Sequence, residues 1–328
     1  MRGIRWLLGG LLGLAAVACG GRPRAAEPDP ATSLPPLPNA SRYLDIPTYD
    51  GSGQPMHPDV VYFPRGWRGY RYWMAMTPYP YDSDTREDPS VVASNDGLHW
   101  EVPPGLTNPL VPTPACDHNS DPDLVYDPDA DALLLFFTQQ QRRSRCGAVN
   151  ENRLLLMRSS DGVHWTAPRV VLRWNLDTSP LYLSPAVVYR DGTFHLWLAS
   201  QTAGVAHATS ADGVQWSPLE PVSIDALPWH LDVEYVSELS RFWMLFVDSP
   251  SAGSRLKLAT SDDGVQWAVR EQPLLEPGRG WDADRIYRAT FVYEEGPRLR
   301  VWYSARSRGG QWHTGYTWSG ASATATSS

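Results

Sequence analysis

The chain has little of what marks metal, nucleotide and nucleic-acid proteins. Its 328 residues hold three cysteines, Cys19, Cys116 and Cys146, lying far apart, and eight histidines scattered singly. None of these stand at zinc-ligand spacing, so no metal and no cofactor is expected. Phosphate-binding glycine loops are absent, as is the Gly-x-Ser-x-Gly that would set up a serine nucleophile. Runs of like charge are missing too. The net charge of −8 is spread along the chain and would repel a phosphate backbone, which excludes nucleic acid as a partner. Beyond the N-terminal apolar run, no stretch carries a helical period. Asp127-Pro128-Asp129-Ala130-Asp131 alternates acids as calcium loops do, but without their glycine and distal glutamate it is a surface hairpin.

What is abundant is turn chemistry and aromatic side chains: 30 Pro, 26 Gly and 15 Trp suit many short strands joined by tight turns. The N-terminus is a targeting segment. Arg2 and Arg5 precede an apolar run, Trp6 to Val17, too short to span a bilayer, which makes it a signal peptide. Leu14-Ala15-Ala16-Val17-Ala18-Cys19 resembles a bacterial lipobox, with Ala16 where Leu is commoner. Residues 1–19 are therefore expected to direct export and lipidation at Cys19, leaving a protein that meets the membrane only through its anchor. Residues 20–41, rich in Pro, Ala and Arg, are expected to be a flexible linker, and residues 319–328 a disordered tail.

Internal repeats set the fold of residues 42–318. Ser-x-Asp-Gly-x-x-Trp occurs four times, ending at Trp100, Trp165, Trp216 and Trp267. Asp-Gly supplies the positive φ of a tight hairpin, so these are structural turns rather than sites. Upstream lies a second repeat: His57-Pro58-Asp59-Val60-Val61-Tyr62, Asp121 to Tyr126, Ser184 to Tyr189, and looser copies His230 to Tyr235 and Arg288 to Tyr293. Five copies predict an all-β, five-bladed β-propeller of four-stranded antiparallel blades. The fifth unit lacks its turn and last strand, and Tyr43 to Tyr49 is the expected donor that closes the ring. Cys116, entering unit two, and Cys146, in a loop of the same unit, are expected to form a disulfide in the oxidising exterior.

Aligned on their tyrosines, the five inner strands begin with one polar ring: His57, Asp121, Ser184, His230 and Arg288. Two residues further in come Asp59, Asp123, Ala186, Asp232 and Thr290, then Val61, Val125, Val188, Glu234 and Val292. Polar residues thus gather near the axis on one strand face, while the alternate face is apolar. Loops on the same side add Glu87, Asp88, Trp229 and Trp281. Paired carboxylates can protonate a leaving oxygen and activate water, and aromatic rings stack on sugars.

Five such units with D-P-x-hydrophobic strand starts and S-x-D-G-x-x-W turns resemble the five-bladed superfamily of arabinanases, levansucrases and invertases, glycoside hydrolase families 43 and 32. The resemblance implies acids at the first three inner strands. This chain offers His57 with Asp59 two along, then Asp121, then Ser184, so Asp121 alone matches without adjustment. It implies a glycan as substrate, possibly furanosidic. Asp121 would orient, Asp59 or Glu87 would act as base, and Glu234, Asp232 or a protonated histidine as acid. His57, Asp123, Ser184, His230, Arg288, Asp88, Trp229 and Trp281 would bind substrate. A non-catalytic propeller that binds carbohydrate or protein on this face is the alternative.

Overall fold

The computed structural model describes residues 30–142, 150–248, 254–294 and 298–320. The expected signal, Cys19 and Cys146 lie outside the described residues, so neither lipidation nor the disulfide is addressed by it. Five antiparallel sheets follow one another in chain order. Blade 1 contains β1 (Pro55–Trp67), β2 (Tyr70–Pro78) and β3 (Ser90–Ser94). Blade 2 contains β4 (Asp117–Asp127), β5 (Ala132–Gln141), β6 (Glu151–Ser159) and β7 (Arg169–Asn175). Blade 3 contains β8 (Leu183–Arg190), β9 (Thr193–Ser200), β10 (Gly204–Ser210) and β11 (Glu220–Pro221). Blade 4 contains β12 (Pro228–Val236), β13 (Arg241–Asp248), β14 (Leu256–Ser261) and β15 (Ala268–Val269), and blade 5 contains β16 (Arg285–Glu294), β17 (Arg298–Arg306) and β18 (Trp312–Trp318). The outer position of blade 1 is filled by an Ala93–Glu101 bridge. In blade 5 the N-terminal segment does this work: Tyr43 bridges Gly315, and the Leu44 amide donates to the Thr314 carbonyl at 2.8 Å.

The apolar faces of the strands form separate cores between adjacent blades, such as Trp73, Ala75, Leu133 and Leu135 between blades 1 and 2. The stretch expected as a flexible linker joins one of them. Ala31, Leu34 and Leu37 are buried in the core between blades 4 and 5, and the Leu37 amide donates to the Leu274 carbonyl. Its apolar residues are what the Pro- and Ala-rich composition concealed, and among the described residues the packing includes Ala31.

The four repeated turns share one design. At Asp161, Oδ1 accepts the amides of Val163 and His164, both at 2.8 Å, while Ser159 Oγ accepts that of Gly162. Glycine is required there twice over. Its φ is +78°, and a Cβ would sit 2.2 Å from Trp73 of blade 1. Gly213 has φ +71° but meets nothing closer than 3.5 Å. Gly213→Ala is expected to cost only the left-handed backbone, about 1–2 kcal/mol. Gly162→Ala adds overpacking, for a total of about 3 kcal/mol or more. Urea titration of the two variants checks this, and equal losses would show that Trp73 moves aside freely.

One feature of the inner strands builds the site. Each of β1, β4, β8, β12 and β16 breaks register with its neighbour at or just beside its ring residue. In blades 1 to 3 the bulge carries a left-handed residue, His57, Asp121 or Ser184, with φ of 53°, 50° and 51°. A bulge leaves one residue unpaired and re-aims side chains. Here it re-aims them beside the axis.

Candidate active site

Just below the bulges the blades are clasped to one another by side chains. Asp59 Oδ2 accepts the Leu124 amide at 2.6 Å, and Asp123 Oδ2 accepts the Val187 amide at 3.0 Å. Ser184 Oγ accepts the Leu231 amide and donates to the Leu231 carbonyl, both at 3.1 Å. Asp232 Oδ2 accepts the Phe291 amide at 3.3 Å, and Thr290 Oγ1 accepts the Val60 amide at 3.1 Å, which closes the circle. Such a bond stabilises by about 1.5–3 kcal/mol where the acceptor is an ionised carboxylate and by about 0.5–1.5 kcal/mol for the Ser184 and Thr290 hydroxyls. Asp59, Asp123, Ser184 and Asp232, expected to catalyse or bind, thus hold the ring together.

Arg288 completes this layer. It is fully buried, and its guanidinium lies 3.8 Å from carboxylate oxygens of Asp59, Asp121 and Asp123 while donating to the Pro185 carbonyl. Burial lifts Asp59 to about 6 against the pull of Arg288, and lifts Asp232 to about 8 with help from Asp59. Asp59, Asp123 and Asp232 bring oxygens within 4.8 Å of one another, but Arg288 already supplies the positive charge beside them. Glu234 stands further along the axis, in the wall of a cavity of about 700 Å³ lined also by Val61, Val125, Val188 and Val292. That cavity opens at the far ends of the inner strands, so Glu234 is remote from the strand starts. Asp88 pins its loop by accepting from Tyr49, Thr113 and Asn119. Trp281 stacks on Tyr303 and donates to the Ala40 carbonyl beneath the N-terminal segment, away from the axis.

The residues brought together at the strand starts are His57, Asp121, His230 and Glu87. His57 Nε2 and His230 Nδ1 both stand 3.2 Å from Asp121 Oδ1. All three groups are buried, and these atoms converge without a hydrogen bond of acceptable geometry. Burial drives His57 down to about 3 and lowers His230, outweighing the pull of Asp121. Asp121 itself stays below the usual carboxylate range. Burial would raise it, but His57, His230 and Arg288 override that effect. The His57 ring is oriented from behind by Thr77 Oγ1, 2.9 Å from Nδ1. Glu87 reaches in from its loop, 3.7 Å from His57 Nδ1 and 3.6 Å from His118 Nε2.

The repeats place these three in one polar ring, but they do not stand at zinc-ligand spacing because they come from three blades that only ring closure unites. Two further residues join the site without a signal in the repeats. His118 lies on β4 before the bulge, and Tyr287 lies one residue before Arg288. Strict alternation would turn Tyr287 away from the axis, whereas the bulge brings its ring 4.3 Å from His230 and 5.5 Å from His57. Burial, with the negative charges of Glu87 and Asp121, holds its phenol well above the ordinary tyrosine value. Trp229 stands edge-on to His230 at 5.6 Å.

No family model matches the chain. It is 35% identical over 336 residues to the A type blood N-acetyl-alpha-D-galactosamine deacetylase of Flavonifractor plautii. That alignment covers 82% of this chain and 43% of the relative, so the chain spans less than half the length of the curated protein it matches. The crystal structure of an N-acetylgalactosamine deacetylase from F. plautii, in complex with blood group B trisaccharide, superposes with a TM-score of 0.77 at 31% identity, covering 86% of this chain and 95% of that one. A family 43 protein of Bacteroides ovatus (TM-score 0.59, 13% identity, 80% and 52% covered) shares the fold. So does a family 62 α-L-arabinofuranosidase catalytic domain of Coprinopsis cinerea (0.58, 12%, 86% and 98%).

Proposed function

The chain belongs to the five-bladed β-propeller superfamily of the family 43 glycoside hydrolases and the F. plautii N-acetylgalactosamine deacetylase, and from that membership we propose that it deacetylates an N-acetylated hexosamine at the end of a glycan. One observation carries this reading. Three buried donors, His57, Asp121 and His230, lie within 4.8 Å of one another, with their facing atoms left without hydrogen-bond partners. Two imidazoles and one carboxylate suit a divalent transition ion, so the donor set fits a metal that the spacing of the sequence did not announce. When bound, such an ion supplies Lewis acidity toward a carbonyl oxygen and acidifies water.

The chain's own side chains do the rest. Glu87 takes a proton from the water that attacks the acetamide carbon, and returns it to the nitrogen as the C–N bond breaks, leaving acetate and a free amine. Tyr287 remains a phenol and donates a hydrogen bond to the carbonyl oxygen as negative charge develops there. His118, beside Glu87, steadies its carboxylate. Trp229 offers an apolar wall to the sugar.

Glycoside cleavage is the second reading, favoured by Asp121 in its Asp-Pro strand start. It requires a carboxylate pair flanking the scissile bond. The third family position, however, is Ser184, whose hydroxyl is committed to Leu231. The assay that separates the readings uses methyl N-acetyl-α-galactosaminide, with protein stripped by chelator and then reloaded with Zn²⁺ or Mn²⁺. Acetate is expected only from reloaded protein. Release of reducing sugar without acetate would overturn the deacetylase reading. Glu87→Gln is expected to keep the bound metal while turnover falls about 10²–10³-fold. Undiminished turnover would remove Glu87 from the chemistry.

A further inference from the structure

The two most exposed large apolar side chains among the described residues are Tyr81, 65% exposed, and Leu227, 55% exposed. They stand on the segments that bring Glu87 and Trp229 to the site, from blade 1 and from the start of blade 4. Neither is a stray surface residue on a slack loop. Tyr81 and Asp82 occupy successive left-handed conformations, with φ of 52° and 63°, a costly arrangement for residues that carry a Cβ. Asp82 fixes it, accepting from Trp312 Nε1 and Arg306 Nη2, both at 2.7 Å. Gln54 Oε1 meanwhile accepts the Trp312 amide at 3.0 Å and the Tyr81 amide at 3.4 Å.

This anchor is continuous with the active site. The Trp312 ring lies 4.9 Å from Tyr287, whose ring lies 4.3 Å from His230. Tyr79, two residues before Tyr81, packs on the other side of Trp312 at 5.8 Å. Trp312 is itself buried, so the ring left open to solvent in this assembly is that of Tyr81. A left-handed pair of residues, an aspartate bonded to both Trp312 and Arg306, and an outward tyrosine whose amide shares Gln54 with Trp312 describe a surface held ready for a ligand.

Resting on the deacetylase reading, we infer that Tyr81 is the stacking platform of an outer sugar subsite, with Leu227 forming the opposite lip. The site then takes an oligosaccharide: the N-acetylated end residue enters beside His57 and His230, and a sugar further along lies on Tyr81. A sugar's C–H face matches an aromatic ring, and binding energy from parts of a substrate remote from the reacting bond separates long substrates from short ones.

The test compares kcat/KM for acetate release from methyl N-acetyl-α-galactosaminide with that from a trisaccharide ending in the same sugar. Tyr81→Ala is expected to lower the trisaccharide-to-methyl-glycoside ratio by about tenfold, whereas Tyr81→Phe, which keeps the ring, holds it. An unchanged ratio in Tyr81→Ala, or a loss of the same size in Tyr81→Phe, overturns the platform. Should neither substrate release acetate, the deacetylase reading fails by itself, and binding of the trisaccharide followed by NMR decides the subsite. Weaker binding to Tyr81→Ala than to wild type supports it. Equal binding, or none by the wild type, overturns it.

Discussion

Asp121→Asn is expected to empty the site of metal and to lower kcat/KM for acetate release by about 10³-fold, roughly 4 kcal/mol of transition-state stabilisation. The size follows from its position. Asp121 is the sole carboxylate among the three converging donors, and it stands 3.2 Å from both imidazoles. Asparagine keeps the shape and removes the charge, while Asp59 and Asp123 remain to balance Arg288. Circular dichroism should therefore match wild type. Metal content measured on the purified variant distinguishes this from a purely structural loss. His230→Gln is a second variant with the same expected outcome. Variants that retain both metal and turnover would show that the chemistry lies elsewhere on the propeller.

Arg288→Met is expected to destabilise the fold by about 3–5 kcal/mol, because it leaves buried carboxylates without their cation. For a chain of this size that lowers Tm by about 10 °C. The loss has a definite pH dependence. Asp59, Asp123 and Asp232 already sit above the usual carboxylate range because of burial, and Arg288 is what draws all three down. Without it they rise further. A carboxyl raised in the folded state binds its proton more tightly there than in the unfolded chain. Its folded form is thus disfavoured progressively as pH climbs above the unfolded value near 4. The deficit of Arg288→Met should accordingly be larger at pH 8 than at pH 5. Chemical denaturation at the two pH values measures it, and a deficit independent of pH would show that the carboxylates are not what Arg288 serves.

These two neighbours illustrate how function was divided among residues that look alike in the sequence. The inner strands begin with alternating polar positions, and alternation correctly identified the ring residues and the layer beneath them. It could not tell a carboxylate that meets two imidazoles from one that accepts an amide of the next blade. Asp59 and Asp121 differ in this way because Asp121 sits on the bulge while Asp59 has resumed pairing with Ala75. Tyr287 shows the same limit from the other side. One unpaired residue in β16 reverses the face that counting by two assigns to it.

By itself the sequence determined the architecture. Asp-Gly turns with their serine and tryptophan are local, since the groups that stabilise each turn lie within a few residues of it, and four copies spaced by strands dictate blades. It also determined which positions beyond the bulges face the axis, because the pleat of a paired strand is a local property. The tertiary structure alone decided which axial residues meet. His57, Asp121 and His230 belong to blades 1, 2 and 4, and their contact exists only once the ring has closed on β18 and the bulges have turned them inward. The assignment of Asp59, Asp123 and Asp232 to holding the blades has the same origin. Each needs the backbone amide of a strand that no local spacing could bring beside it.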